Sequence, residues 1–220
     1  MAEAFFQATA WTMDTPKPYG AFHLVLTVLG VSLSIFLARK FSFPERKAGP
    51  DTILFLCGLF LGLTELYKQG FIYYIENGRT YDWWYFPFQL CSVPMYLGLF
   101  IPMVPARIRN VFYLFIQDFG LLGGIMALAE PSGLMHPYWT MTVHGFLWHF
   151  NLIFMGLICA FYNLKTETPK SYLHTIPLFL FCTAIATAVN VLSHPYGNAD
   201  MFYISPYYPN GRSSFTRSPW

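Results

Sequence analysis

Residues 83–104 read WWYFPFQLCSVPMYLGLFIPMV and contain no charged side chain. From residue 86 to 104 this stretch is long enough to cross the hydrocarbon core of a bilayer, which is about 30 Å thick. Further apolar runs of similar length lie on either side of it, at 19–38, 52–74, 110–129, 138–162 and 172–193. The sequence therefore predicts an all-α protein, a polytopic transmembrane helix bundle of about six spans.

Composition supports the same class. Hydrophobic residues make up 55% of the 220 residues, charged residues only 11%, and the mean hydropathy is +0.41. A soluble domain carries about 25% charged residues. The net charge of +2 comes from basic residues in short loops, so it predicts no nucleic-acid partner.

We divide the chain into three parts. Residues 1–18 form an N-terminal interfacial lead without the basic segment and cleavage site of a signal peptide. Residues 19–193 form the transmembrane bundle. Residues 194–220 form a polar, aromatic tail, where a further span would be expected.

Basic residues in the loops predict the orientation. The loops after the first, third and fifth spans hold eight of them, and the opposite side holds four. Because basic loops stay in the cytoplasm, both termini are predicted to be non-cytoplasmic. The eight residues are Arg39, Lys40, Arg46, Lys47, Arg107, Arg109, Lys165 and Lys170.

Polar side chains within the spans concentrate in the predicted outer half of the membrane. At about 1.5 Å of rise per residue, Cys91 lies roughly 8 Å below the outer boundary, His144 lies at a similar level and His149 lies nearer the midplane. Polar groups are costly at this depth, so their concentration predicts a water-accessible cavity. The other members are His23, Glu65, Lys68, Asn190 and His194.

Several of these groups also have a structural interpretation. Glu65 and Lys68 are spaced i, i+3 and can neutralise one another on a helix. His23 and His194 are suited to hydrogen bonds between helices. Close helix packing explains the two G-x-x-x-G spacings, at Gly58–Gly62 and Gly120–Gly124. Three cysteines are small buried hydrophobes in the same interpretation: Cys57, Cys159 and Cys182.

Cys91 differs from the other cysteines in its surroundings. Pro87 and Pro94 bracket it, and Pro94 cannot donate the helical hydrogen bond that the Leu90 carbonyl would accept. Gln89 and Ser92 add polar atoms beside the thiol. A histidine nearby would favour the reactive thiolate, whereas apolar burial opposes it. Spacing alone leaves a structural and a nucleophilic Cys91 equally open.

His144 and His149 are five residues apart and lie about 140° from each other around a straight helix. They cannot hold one metal in the manner of an i, i+4 zinc helix, and no other pair of ligands completes a site. We therefore predict no metal and no cofactor. The histidines fit better as single general bases, or as one base and one orienting residue.

The run Pro87-Phe88-Gln89-Leu90-Cys91-Ser92, with Trp148-His149, Asn190 and Gly197-Asn198 downstream, resembles the YwaF-type family of bacterial integral membrane proteins. That family is related to animal multi-spanning enzymes that use a membrane cysteine and a histidine to move acyl chains between glycerophospholipids. More distant relatives hydrolyse lipid esters with a threonine as nucleophile. The resemblance covers about residues 20–205. It departs after Asn198, where the family's tyrosine is missing.

The resemblance implies a lipid acyltransferase or lipid-ester hydrolase in the bacterial plasma membrane, with a phospholipid or lysophospholipid as partner. Cys91 matches the nucleophile and His149 the base, with His144 as the alternative base. Gln89 or Asn190 would stabilise the oxyanion. The remaining candidate substrate-binding residues are His23, Glu65, His194 and Asn198.

Two other classes of function fit the same residues. In a transporter or sensor for ions or small molecules, Glu65, Lys68 and the histidines would form a polar path through the outer half of the membrane. In a scaffold subunit, the same groups would only join helices. An acyl thioester on Cys91 would distinguish the enzyme from both.

Overall fold

The computed structural model describes residues 2–42, 49–163, 168 and 170–207. Arg46, Lys47 and Lys165, on which the predicted orientation partly rests, lie outside this range, as does most of the C-terminal tail. The described chain is helical apart from its loops and one isolated bridge between Thr12 and Tyr138. Its helices are α1 (Ala2–Ala8), α2 (Ala21–Phe41), α3 (Asp51–Phe71), α4 (Val93–Phe100), α5 (Ala106–Phe115), α6 (Leu121–Ala129), α7 (Trp139–Asn163) and α8 (Ile176–Ser193).

Short non-α turns extend or join these helices. A π turn, Ile72–Glu76, continues α3, and another, Ile116–Gly120, joins α5 to α6 into one long helix. The 3₁₀ turns are Trp83–Tyr85, Leu90–Ser92, Ile101–Met103, Pro131–Leu134, Ser171–Thr175 and Met201–Tyr203. All six predicted spans therefore correspond to helical segments, and the protein is a polytopic helical membrane bundle.

Four segments of the described chain are long and apolar enough to cross a membrane by length and composition: Ala21–Phe41, Ala106–Ala129, Trp139–Asn163 and Ser171–Ser193. The second predicted span is a helix of similar length, α3, but Glu65, Lys68 and Gln69 make its C-terminal end polar. The third forms the shorter apolar helix Leu90–Met103. At 1.5 Å per residue it extends about 21 Å, less than the hydrocarbon core.

The predicted start of the third span, at residue 86, is wrong. Phe86 and Gln89 have extended backbone, with ψ of 130° and 162°, and helical turns begin only at Leu90. Pro87 disfavours helical geometry in the residue before it, which accounts for the extended Phe86. Pro94 lies in the first turn of α4, where backbone N–H groups have no partner within the helix. The N–H group that proline lacks is therefore not missed, and the expected unpaired carbonyl within a span does not arise.

α7 is the central helix, with α2, α3, α5 and α6 packed around it. Its buried side chains include Phe146, Trp148, Leu152 and Met155. The helix ends predicted to be outermost lie together on one face of the bundle. On that face the Trp139 N–H donates to the Trp11 carbonyl at 2.9 Å, and the Trp84 N–H donates to Asn198 Oδ1 at 3.1 Å. We call this face the site face.

Glycine allows α3 and α4 to pack closely. A Cβ atom added to Gly58 would lie 2.8 Å from the backbone nitrogen of Leu99 and 2.9 Å from the carbonyl oxygen of Met95. The same atom on Gly62 would meet only the Cδ1 atom of Leu99, at 3.7 Å. Of the first predicted G-x-x-x-G pair, Gly58 is therefore the residue that the close approach requires.

Gly58→Ala should destabilise the protein by about 1–3 kcal/mol, because the new methyl group would overlap backbone atoms that cannot move cheaply. Gly62→Ala is the matched control and should be neutral or slightly stabilising, because alanine is the better helix former. Thermal unfolding in detergent measures both variants. An equal effect of the two substitutions would contradict the assigned packing.

Candidate functional site

Cys91 lies in the 3₁₀ turn that precedes α4, near the site face. Its side chain is partly buried, and its carbonyl oxygen accepts a hydrogen bond from Trp148 Nε1 at 3.3 Å. Gly123 on α6 faces it, since a Cβ on that glycine would lie 3.5 Å from the Cys91 Cβ. The cysteine is therefore held between α6 and α7.

Trp148 connects Cys91 to the other polar groups. Its ring centroid lies 5.6 Å from that of His144 and 5.9 Å from Lys68 Nζ, which is over the ring. From the sequence, Trp148 had no predicted role of its own. Its position in the middle of a span could have indicated a contact with another helix, because a buried indole N–H requires a hydrogen-bond acceptor.

Glu65 and Lys68 form the i, i+3 ion pair that their spacing predicted, with Lys68 Nζ 2.8 Å from Glu65 Oε1. Gln69 Nε2 donates to the same oxygen at 2.7 Å and to the Tyr85 carbonyl at 2.6 Å. Glu65 is only 4% exposed, and its second oxygen, Oε2, has no hydrogen-bond partner. The ring of Trp148 connects this ion pair to Cys91, because Lys68 Nζ lies over the ring and Trp148 Nε1 donates to the Cys91 carbonyl.

The two histidines lie on different sides of α7. His144 shares the face of Trp148; its ring interacts with the Thr64 backbone on α3, and its Nε2 is buried without a hydrogen-bond partner. His149 Nδ1 lies 2.7 Å from the Gly145 carbonyl oxygen. Because a carbonyl only accepts, Nδ1 carries the proton and Nε2 retains the lone pair of a base. The His149 backbone packs against α6, where a Cβ on Gly124 would lie 3.0 Å from its carbonyl oxygen.

Gln89 and Asn190 hold the C-terminal segment against the bundle. Gln89 Nε2 donates to the Asp200 carbonyl at 3.0 Å, and its Oε1 accepts from the Phe202 N–H at 2.8 Å. Asn190 bonds the carbonyl and the N–H of Met201 in the same two-way manner, at 3.0 and 2.6 Å. One N–H of each amide group is thus engaged with the segment, and the second N–H is the one that an oxyanion role would use.

The remaining predicted site residues contact other parts of the fold. His23 joins α2 to α6, with its Nε2 3.1 Å from the Leu128 carbonyl oxygen, as a helix–helix residue would. His194 is exposed and stacks on Tyr207 at 3.5 Å between ring centroids. Asn198 accepts from the Trp84 N–H. The structure therefore groups Glu65, His144 and Cys91 around Trp148 and Lys68, and the place of His149 in the same site stays a prediction.

Comparison with known proteins identifies the family to which the chain belongs. The model of the TMEM164 family matches residues 18–220, which is most of the chain. The chain belongs to the TMEM164 family. No curated protein and no solved structure matches it.

The TMEM164 family is a membrane protein family, which agrees with the apolar helices of the bundle. The family match gives no evidence on the relationship to the YwaF-type family or on acyl transfer, so both stay predictions. The side of the membrane on which the termini lie, and the bacterial plasma membrane as the location, also stay predictions.

In the TMEM164-family chain all four cysteines are free, so Cys91 is available as a thiol. Within the described residues there is no group of three or more histidine, cysteine, aspartate or glutamate side chains that could hold a metal ion. The chemistry that this cluster can perform with its own residues combines a thiol, the imidazole of His144 and a buried ion pair.

Proposed function

We propose that this TMEM164-family protein is a lipid acyltransferase or lipid-ester hydrolase that acts through a thioester on Cys91, with His149 as base. The observation that carries the proposal is the contact between Cys91 and Trp148, the chain neighbour of His149, within a buried polar cluster. The substrates would be a phospholipid and a lysophospholipid, and the mechanism needs no cofactor. The YwaF-like motif around Cys91 supports the same chemistry.

In the first step, His149 Nε2 takes the thiol proton and the Cys91 sulfur attacks the ester carbonyl carbon of a phospholipid. A carbon–sulfur bond forms and the carbon–oxygen bond of the ester breaks. The imidazolium returns the proton to the departing oxygen, which leaves as the hydroxyl group of a lysophospholipid.

In the second step, a hydroxyl oxygen attacks the thioester carbon. Its proton passes to His149, a new ester bond forms, and the Cys91 sulfur leaves and is reprotonated. A lysophospholipid hydroxyl makes the reaction an acyl transfer, whereas water makes it a hydrolysis. Both outcomes use the same residues.

The test is an assay in liposomes that contain a phospholipid with a labelled acyl chain and an unlabelled lysophospholipid. We expect the purified protein to move the label to the lysophospholipid or to release it as free fatty acid. Solute or proton uptake that survives Cys91→Ser, without any movement of label, would instead support the transporter class.

A further inference from the structure

Two buried polar atoms, on residues that contact Lys68 and Trp148, lack hydrogen-bond partners. They are Glu65 Oε2 and His144 Nε2. Glu65 is 4% exposed, and both side chains interact with Lys68, whose Nζ lies over the ring of Trp148. Leaving such atoms unpaired in a membrane is costly, and a bound group would remove the cost.

The charges around these atoms restrict what can bind there. Glu65 and Lys68 form one ion pair and together carry no net charge. A ligand with a charge of its own would therefore leave an uncompensated charge at membrane depth, which is expensive. The group that fits is uncharged.

The donors and acceptors of Glu65, Lys68 and His144 further restrict which uncharged group can bind. A carboxylate oxygen only accepts, so the ligand must donate a hydrogen to Glu65 Oε2. Lys68 has N–H groups beyond the one that faces Glu65 Oε1, so the same ligand must also accept. A hydroxyl group does both with a single atom, and His144 Nε2 can serve it in either role according to its tautomer.

We propose that Glu65, Lys68 and His144 form a binding site for one uncharged hydroxyl group of a lipid. Building on the function proposed above, this is the hydroxyl that accepts the acyl chain from Cys91. Trp148 donates to the Cys91 carbonyl, and Lys68 Nζ lies over the Trp148 ring, so the indole connects this site to the residue that would carry the thioester. Rotation about its carbon–oxygen bond turns the hydroxyl hydrogen from Glu65 to the base when transfer begins.

Tyrosines bring two more hydroxyl groups near Glu65. Tyr96 and Tyr81 both interact electrostatically with its carboxylate, and Tyr96 donates to the Pro87 carbonyl at 2.7 Å. Tyr81 belongs to the loop after α3, where burial and the negative charge of Glu65 raise its pKa to about 12. Its phenol therefore stays protonated at neutral pH, and no second anion forms at this end of the site.

The test measures binding in the Cys91→Ala background, so that no turnover is needed. The probes are a lysophospholipid and its analogue in which hydrogen replaces the free glycerol hydroxyl. A hydrogen bond to a charged group predicts that the hydroxyl compound binds about tenfold more tightly or better. Adding Glu65→Gln should reduce that preference, because the hydroxyl loses its bond to a charged acceptor and can only accept from a neutral amide N–H₂ in its place. Glu130→Gln, which alters an exposed carboxylate near Ser132, is the matched control and should retain the preference.

Equal binding of the two probes to the Cys91→Ala protein would overturn the proposal. It would indicate that a water molecule, and not a lipid hydroxyl, bonds Glu65 Oε2 and His144 Nε2. A preference that Glu65→Gln leaves unchanged would overturn it as well. If Glu65→Gln does not fold, His144→Phe in the same background replaces it, with the same loss expected and with a retained preference counting against the site. Because binding is read without acyl transfer, failure of the thioester mechanism and failure of this site are distinguishable.

Discussion

Cys91→Ala should reduce acyl transfer to background while leaving the fold intact. The substitution removes the atom that would carry the acyl chain, so no thioester can form. The Cys91 contact with Trp148 is made by a backbone carbonyl, which alanine retains. Transfer of a labelled acyl chain from phospholipid to lysophospholipid in liposomes measures the loss, and thermal unfolding checks the fold.

Cys57→Ala is the matched control for this variant. Cys57 is also a free, partly buried cysteine, but it lines an apolar groove of about 310 Å³ with Phe41, Phe60 and Phe154, away from the polar cluster. Its loss should leave transfer nearly unchanged. Equal turnover by the wild-type protein and Cys91→Ala would exclude the thioester mechanism.

His149→Ala should lower the rate of transfer by about 10²–10⁴-fold, the usual contribution of a general base. The hydrogen bond between His149 Nδ1 and the Gly145 carbonyl leaves Nε2 as the free base, which is the form that the thiol requires. His144→Ala should have a smaller effect, since in our account His144 contacts the accepting hydroxyl and not the thiol. Initial rates for the two variants at saturating lysophospholipid give the comparison.

The reverse order of effects would keep the enzyme class and overturn the assignment of the base. His144 shares the α7 face of Trp148, which contacts Cys91, so His144 is the alternative general base. Equal, small effects of both substitutions would argue against an imidazole base altogether.

The helices could be predicted from the sequence because membrane helices depend on local composition. The apolar runs around α2 and α7 are each close to the length of the observed helix. The error at residue 86 also has a local cause, since Pro87 was visible in the sequence but was placed inside a span. The Glu65–Lys68 pair was predictable because i, i+3 spacing brings two side chains together in any helix.

Contacts between distant parts of the chain were not predictable in this way. Gln89 and Asn190 looked like substrate-binding amides, but they bind the backbone of residues 200–202, and Gln89 does so across 111 and 113 positions. His23 bonds a carbonyl 105 positions away. Hydropathy and spacing carry no information on such pairings. The role of Trp148 was missed for the same reason, since its partners come from α3 and from the turn before α4.

The central claim is that Cys91 carries the acyl chain, and mass spectrometry of the protein tests it most directly. The protein would be incubated with phospholipid alone, quenched in acid and digested, and its peptides would be searched for an acyl group that neutral hydroxylamine removes. We expect the acyl group on the peptide that contains Cys91, and we expect it to disappear when lysophospholipid is added before quenching. An acyl group found instead on Cys57, Cys159 or Cys182, or no thioester in a protein that transfers acyl chains, would contradict the account.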